Sequence, residues 1–268
     1  MHLNRAPRSL IWRTLRRRVR RVARQPIARW VAREPETVVR IPPIDDVFVR
    51  AVRLIAPQYD WLRADERSRL VWERDQNSSC WTEDTALSPL LRAMPPPRRV
   101  LEIGPGLGRS AVFFSQRYFP HARFDLFDAT GEDTKYELLG GRSVASFCGN
   151  LELLRRTLDF NEVHGYRILD ARLTDGRLPP QDEPYDFIYS FWSVGFHWAL
   201  DHWLDEILSV AHPGTLCAFI VPSHYQPSPW VASLPHVMLE ASPALRASPL
   251  ATTYFLVFTP KPVSWLPA

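Results

Sequence analysis

With 268 residues, 46% of them hydrophobic, the chain is long enough for one sizeable core with appendages and too short for two full enzyme domains. Its cysteines, Cys80, Cys148 and Cys217, are isolated and lack C-x-x-C spacing, which excludes a disulfide framework or zinc motif and fits a reducing, cytoplasmic setting. No apolar run approaches the roughly 20 residues that cross a bilayer, and the first residues lack the apolar centre of a secretion signal.

The net charge of +4 hides an asymmetry. Residues 1–33 hold eleven arginines and no acid, so the rest carries 22 basic side chains against 29 acidic ones. Ile11, Leu15, Val19 and Val22 recur at helical spacing among Arg13, Arg16, Arg17, Arg18, Arg20, Arg21 and Arg24, with Trp12 alongside and Pro26 as a stop. A basic amphipathic helix of this kind, within residues 5–31, suits an anionic membrane surface, which would make the protein peripheral there. RNA or another polyanion, or simple solvation, is the alternative.

Residues 34–95 read as a helical N-terminal cap. Glu34 to Pro43 is expected as linker, and Val47, Phe48, Ala51 and Leu54 share one helical face. A second helix is expected over Tyr59–Glu73. After Asn77-Ser78-Ser79-Cys80-Trp81, a third is expected over Glu83–Ala93.

The next stretch is the most informative. Val100, Leu101 and Ile103 form a short β-favouring run, preceded by Pro95–Pro97 and followed by Gly104-Pro105-Gly106-Leu107-Gly108. A strand, a glycine turn and a helix over Arg109–Phe119 follow from this, with the free N–H groups of the helix aimed back at the turn. The spacing is G-x-G-x-G; Arg109 stands where a dinucleotide fingerprint has its third glycine. Glu102, two residues before the turn, would repel a pyrophosphate and suits a cationic amino-acid tail.

Ala122–Asp128 reads as a second strand ending in an acid, Tyr166–Ala171 as a third, and Tyr185–Ser190 as a fourth. A helix with Leu200, Leu204, Ile207, Leu208 and Ala211 on one face comes next, with Asp201 near its start. His212-Pro213-Gly214-Thr215 reads as a turn, Leu216–Val221 as a fifth strand, Leu234–Glu240 as a helix and Thr253–Phe258 as a further strand.

Glu102-Ile103-Gly104-Pro105-Gly106-Leu107-Gly108 strongly resembles the first cofactor motif of class I S-adenosylmethionine-dependent methyltransferases, and the later elements extend that resemblance over about residues 98–221. It implies a Rossmann-like three-layer α/β/α sandwich with a mostly parallel six- or seven-stranded sheet over residues 96–268, and S-adenosylmethionine as cofactor. Glu102 would hold the methionyl amino group, Gly104, Gly106 and Gly108 would let the backbone close in, Asp128 would take the ribose, and Asp170 with Ala171 the adenine. Ser190, at the end of the fourth strand, joins this cofactor set.

Methyl transfer requires alignment and exclusion of water. An oxygen acceptor also needs a base, and His197 in Ser190–Trp198 is the candidate, with His224 as its rival and His202 expected at solvent. Trp81, Trp192, Trp198 and Trp230 are candidates for flat walls that stack on sugars or aromatic rings. The N/D-P-P-Y/W tetrapeptide of amino-group methylases is missing, which makes nucleic acid an improbable partner. Ser190 replaces the carboxylate of the metal-dependent catechol type, so no metal is expected. The acceptor is therefore expected to be an oxygen of a small molecule or glycan, including a lipid-linked sugar. A non-catalytic scaffold and an aminopropyl transferase are the rival functions.

Overall fold

The computed structural model describes residues 36–55, 60–130, 135–137, 143–145, 149–195, 198–240 and 253–266, with 54–55, 135–137 and 143–145 as backbone only. The basic tail, Tyr59 and His197 lie outside the described residues.

Among the described residues there are nine strands: β1 (Arg99–Ile103), β2 (Arg123–Asp128), β3 (Lys135–Glu137), β4 (Ser143–Ala145), β5 (Tyr166–Asp170), β6 (Tyr185–Ser190), β7 (Ala211–Pro222), β8 (His236–Glu240) and β9 (Thr253–Phe258). Seven of them form one sheet in the order β5-β2-β1-β6-β7-β9-β8, while β3 and β4 pair as a separate antiparallel ribbon. Every pairing from β5 to β7 is parallel; β9 runs antiparallel to both β7 and β8. The chain winds outward from β1 through β2 to β5, then returns to place β6 on the other side of β1. The order therefore reverses between β1 and β6, and in an open sheet of this type the ligand crevice lies beyond the carboxyl ends at such a point.

Strand residues alternate between two cores, as period-two geometry requires. Val100, Leu126, Phe187, Ala218 and Val257 face one core, and Leu101, Phe127, Ile188, Cys217 and Leu256 face the other. The first core is covered by α1 (Asp46–Ile55), α2 (Glu66–Ala93), α3 (Arg109–Arg117) and α4 (Leu151–Phe160). The second is covered by α5 (Leu200–Ser209), with Val231 of the short α6 (Pro229–Ser233). The result is the expected α/β/α sandwich, with seven strands in the main sheet.

Four local expectations need correction. The second and third cap helices are one, the 28-residue α2, which starts at the Asp65 cap and runs straight through Asn77-Ser78-Ser79. Hydroxyls of Thr82 and Thr85 and the Asn77 amide donate to the carbonyls four residues back, so these polar residues sit within the helix without breaking it. Nor is Glu34–Pro43 a free linker over its described part. Val39 and Ile41 are core residues, and the buried Asn77 side chain accepts from the N–H groups of Val38 and Val39 at 2.9 Å and donates to the Val39 carbonyl at 2.7 Å. Asn161 does the same for Arg40, accepting at 2.8 Å and donating at 2.7 Å.

The other two corrections concern the far half of the sheet. His212–Thr215 lies inside β7, where the pairing with β6 shifts register between Tyr185 and Phe187. The segment expected as a helix at Leu234–Glu240 is instead strand β8. Val237 and Leu239 face one core and Met238 faces the other, the two-residue alternation of a strand.

Candidate functional site

The glycine turn leaves β1 at the point where the strand order reverses. Gly104 N–H donates to the Phe127 carbonyl at 2.9 Å, which ties the turn to β2, and Gly108 N–H donates to the Pro105 carbonyl at 2.9 Å. All three glycines have φ between +58° and +80°, a region other residues rarely adopt. Their surroundings differ. A Cβ on Gly104 would meet the Ser193 side chain at 2.3 Å, and one on Gly108 would meet Leu154 at 2.6 Å, whereas one on Gly106 would meet nothing within 4 Å. Gly106 is thus the part of the turn that faces open space, while the other two glycines are packed against protein.

Three carboxylates surround this turn, in different states. Glu102 is buried, and its oxygens accept from the Ser110 hydroxyl and, at 2.9 Å, from the Tyr189 hydroxyl. Burial pushes its pKa up to about 7, against the pull of those two bonds. Asp128 is also buried and accepts from Gly106 N–H at 3.1 Å and Ala129 N–H at 2.8 Å. Its pKa too is pushed up to about 7, by burial and by the charge of Asp170, its register partner on β5. Asp170 itself is held low by Arg172, whose guanidinium donates to it through two nitrogens at 3.0 and 2.7 Å and whose backbone N–H donates at 3.0 Å. Ala171, fully buried, opens the 3₁₀ turn that follows.

On the other side of the reversal, β6 runs into the loop proposed from sequence as the transfer centre. Ser190 is fully buried; its hydroxyl donates to the Ile103 carbonyl at 2.6 Å and accepts from Val194 N–H at 2.9 Å. Its hydrogen bonds thus clamp the ends of β1 and β6 together and hold the start of the loop. Trp192 takes a left-handed backbone at φ 70°, an uncommon state for a bulky residue. Gly195 N–H then donates to the Trp198 carbonyl at 2.7 Å. Of the other candidates, His202 and His224 are exposed. Trp81 packs edge-on against Phe113 with Arg117 over its ring, on the outer side of α3.

Several residues that sequence reasoning missed converge here. Arg109, the first residue of α3, makes a two-pronged ion pair with Glu83 of α2 at 2.9 and 2.5 Å, beside the Cys80 sulfur. Burial opposes the guanidinium's charge, and Glu83 more than restores it; the Cys80 thiol is pushed up to about 12 by burial. Gly149 lies against Asp128, and a Cβ there would come within 2.8 Å of its carboxyl carbon. Neither contact has a local pattern in the sequence. Two surface hollows, of about 450 Å³ beside Tyr118 and about 250 Å³ beside Arg99, do not adjoin the turn.

A parallel sheet closed by an antiparallel pair, with the glycine turn and acid-ended strands at its reversal point, decides the architecture. This is the Rossmann-like α/β/α arrangement that the resemblance to class I methyltransferases implies. No family model matches the sequence, and no curated protein matches it. Among solved structures the chain is similar to a Klebsiella pneumoniae protein assigned as an O-methyltransferase, at 15% identity and TM-score 0.45, covering 81% of this chain and 91% of that one. It is similar to an rRNA methylase from Streptococcus thermophilus at 10% identity and TM-score 0.43, covering 65% and 93%. It also resembles PKMT2 from Rickettsia typhi, one structure of which contains AdoHcy, at 18% identity and TM-score 0.36; 51% of this chain is covered, and the match spans only 25% of that protein's length.

Proposed function

We propose that the chain is an S-adenosylmethionine-dependent methyltransferase acting on an oxygen of a small molecule or glycan. The observation that carries this reading is the pairing of Asp128 with Asp170 at the ends of adjacent strands, beside a turn whose central glycine faces open space. Each carboxylate offers about four lone-pair sites, and Asp128 uses two of them on backbone N–H groups, leaving capacity for two hydroxyl donors. A ribose supplies such a pair, and Asp170 with Ala171 suits an adenine edge. Glu102 contributes its charge beneath the turn, where the cofactor's amino group would lie, while its hydrogen bonds run to Ser110 and Tyr189.

S-adenosylmethionine would supply a methyl group already activated by the adjacent sulfonium. The chain's part is then to orient, to exclude water and to take up a proton. The loop at 190–198 supports the first two roles, because Ser190 fixes its base and Trp192 and Trp198 are its bulky residues. His197 within it is the proposed base for an oxygen acceptor. Residues 1–33 are proposed to bring the protein to an anionic membrane surface through the amphipathic stretch at 5–31, with 34–95 as helical cap and 96–268 as the methyltransferase domain. Of the described helices, none is long and apolar enough to cross a membrane.

Titration calorimetry with S-adenosylmethionine tests the cofactor, and transfer of labelled methyl onto sugars, phenols and lipid-linked glycans tests the acceptor class. Absence of any binding heat and of any thermal shift sinks the enzyme reading and leaves a scaffold.

A further inference from the structure

Two polar atoms near the proposed acceptor end are shut away from water without partners. Asp201 Oδ1 and the Tyr225 hydroxyl are buried and have no hydrogen-bond partner among the described residues. Such orphans are uncommon, because each forfeits its bonds to water for nothing. Asp201 lies in the first turn of α5, and Tyr225 stands three residues beyond β7, its N–H donating to the Pro222 carbonyl at 2.9 Å. Since β6 and β7 are parallel neighbours, the helix that begins after β6 and the loop that leaves β7 emerge at the same, carboxyl end of the sheet. Tyr225, Trp198 and Trp203 pack on the same core. The two side chains also sense each other: the phenol is pushed up by burial and by the charge of Asp201.

We propose that Asp201 and Tyr225 form the polar end of the acceptor site and together hold a hydroxyl group of the methyl acceptor. A hydroxyl has the matching capacity, donating its proton to Asp201 Oδ1 while accepting from the Tyr225 O–H. An ether or ketone has no proton for Asp201. Both residues as a whole are only partly buried, so the pair lies close to the surface at that end of the sheet. The inference rests on the methyltransferase reading and refines its substrate class. It assigns binding, and leaves proton removal to the 190–198 loop.

The test compares the full chain with Asp201→Asn and Tyr225→Phe in three measurements. Without ligand, both variants should melt at or above the wild-type temperature, by about 2–4 °C if one uncompensated polar group is relieved. Affinity for S-adenosylmethionine should stay within about twofold, and transfer to whichever methyl glycosides or simple phenols the wild type methylates should fall at least about tenfold. A lower melting temperature in either variant shows that the pair is a structural contact and overturns the proposal, as does undiminished transfer. If the wild type methylates none of the panel, the melting temperatures decide. Failure of the wild type to bind S-adenosylmethionine is a separate result: it removes the enzyme reading.

Discussion

Cofactor binding to this site should be strongly pH-dependent, because two of the three acids of the free protein titrate around neutrality, each about half protonated at pH 7. Burial raises Asp128 and Glu102 to about 7 from ordinary values of 3.8 and 4.5. For acids raised on folding, the folded form keeps its proton longer than the unfolded chain does. The cost of charging them is therefore absent below about pH 4, builds between there and pH 7, and is fully present above. At about 1.4 kcal/mol per pKa unit, that cost is roughly 3 to 4 kcal/mol for each group, so the ligand-free protein should melt at a higher temperature at pH 5 than at pH 8. Ribose hydroxyls and a cationic tail favour the ionised carboxylates. A group with pKa about 7 is roughly one-tenth ionised at pH 6 and nine-tenths at pH 8, so affinity for S-adenosylmethionine should rise about tenfold per carboxylate across that range, with proton release on binding. Calorimetry at pH 6, 7 and 8, in buffers of different ionisation heat, reads both quantities. Asp128→Asn mimics the protonated acid, so it should remove one of the tenfold factors and weaken binding at pH 8 by roughly 1.5 to 3 kcal/mol. Constant affinity from pH 6 to 8 without proton release would refute the reasoning.

Three further outcomes follow from the packing. Gly106→Ala should abolish cofactor binding at a stability cost of only about 1 kcal/mol, whereas Gly108→Ala, which drives a methyl into Leu154, should lower the urea midpoint clearly more; equal stability losses would contradict the different surroundings of the two glycines. Glu83→Ala leaves Arg109 charged and buried and should cost roughly 3 to 5 kcal/mol in urea unfolding, with Glu83→Ala/Arg109→Met recovering part of it. Asn77→Ala should cost roughly 3 kcal/mol, because it strips bonds from Val38 and Val39 together; a change under 1 kcal/mol would show that the extended segment holds without it.

The parts of the fold legible in sequence were those with a local physical signature. β1, β2 and β5 announce themselves by β-favouring runs ending in glycine or acid, and β6 by its aromatic and aliphatic residues; the positive φ values at Gly104, Gly106 and Gly108 agree with a turn that only glycine makes easily. What stayed hidden depends on contacts distant in the chain. Asn77 resembles a helix breaker until its amide is seen serving residues 38 and 39. The five residues of β8 carry too short a pattern to separate strand from helix. At the site, the acids could be placed on their strands, but not the partners they hold. Arg172 lies two residues from Asp170 and was within reach of inspection, whereas Glu83 is 26 residues from Arg109. Gly149 had no motif around it, and its meaning comes only from lying against Asp128.

The stitching of residues 38–40 to Asn77 and Asn161 also determines where the molecule tolerates cutting. Severing the arginine-rich leader before Glu36 would spare every one of those amide pairings, and Trp81 would keep the Glu36 carbonyl that its indole N–H bonds at 2.9 Å. A cut some six residues later would uncover two asparagines in the interior and a strip of α2, turning a trimmed protein into an aggregating one. Proteolysis or expression trials that seek the folded body alone should therefore begin at position 36 and not at the first helix.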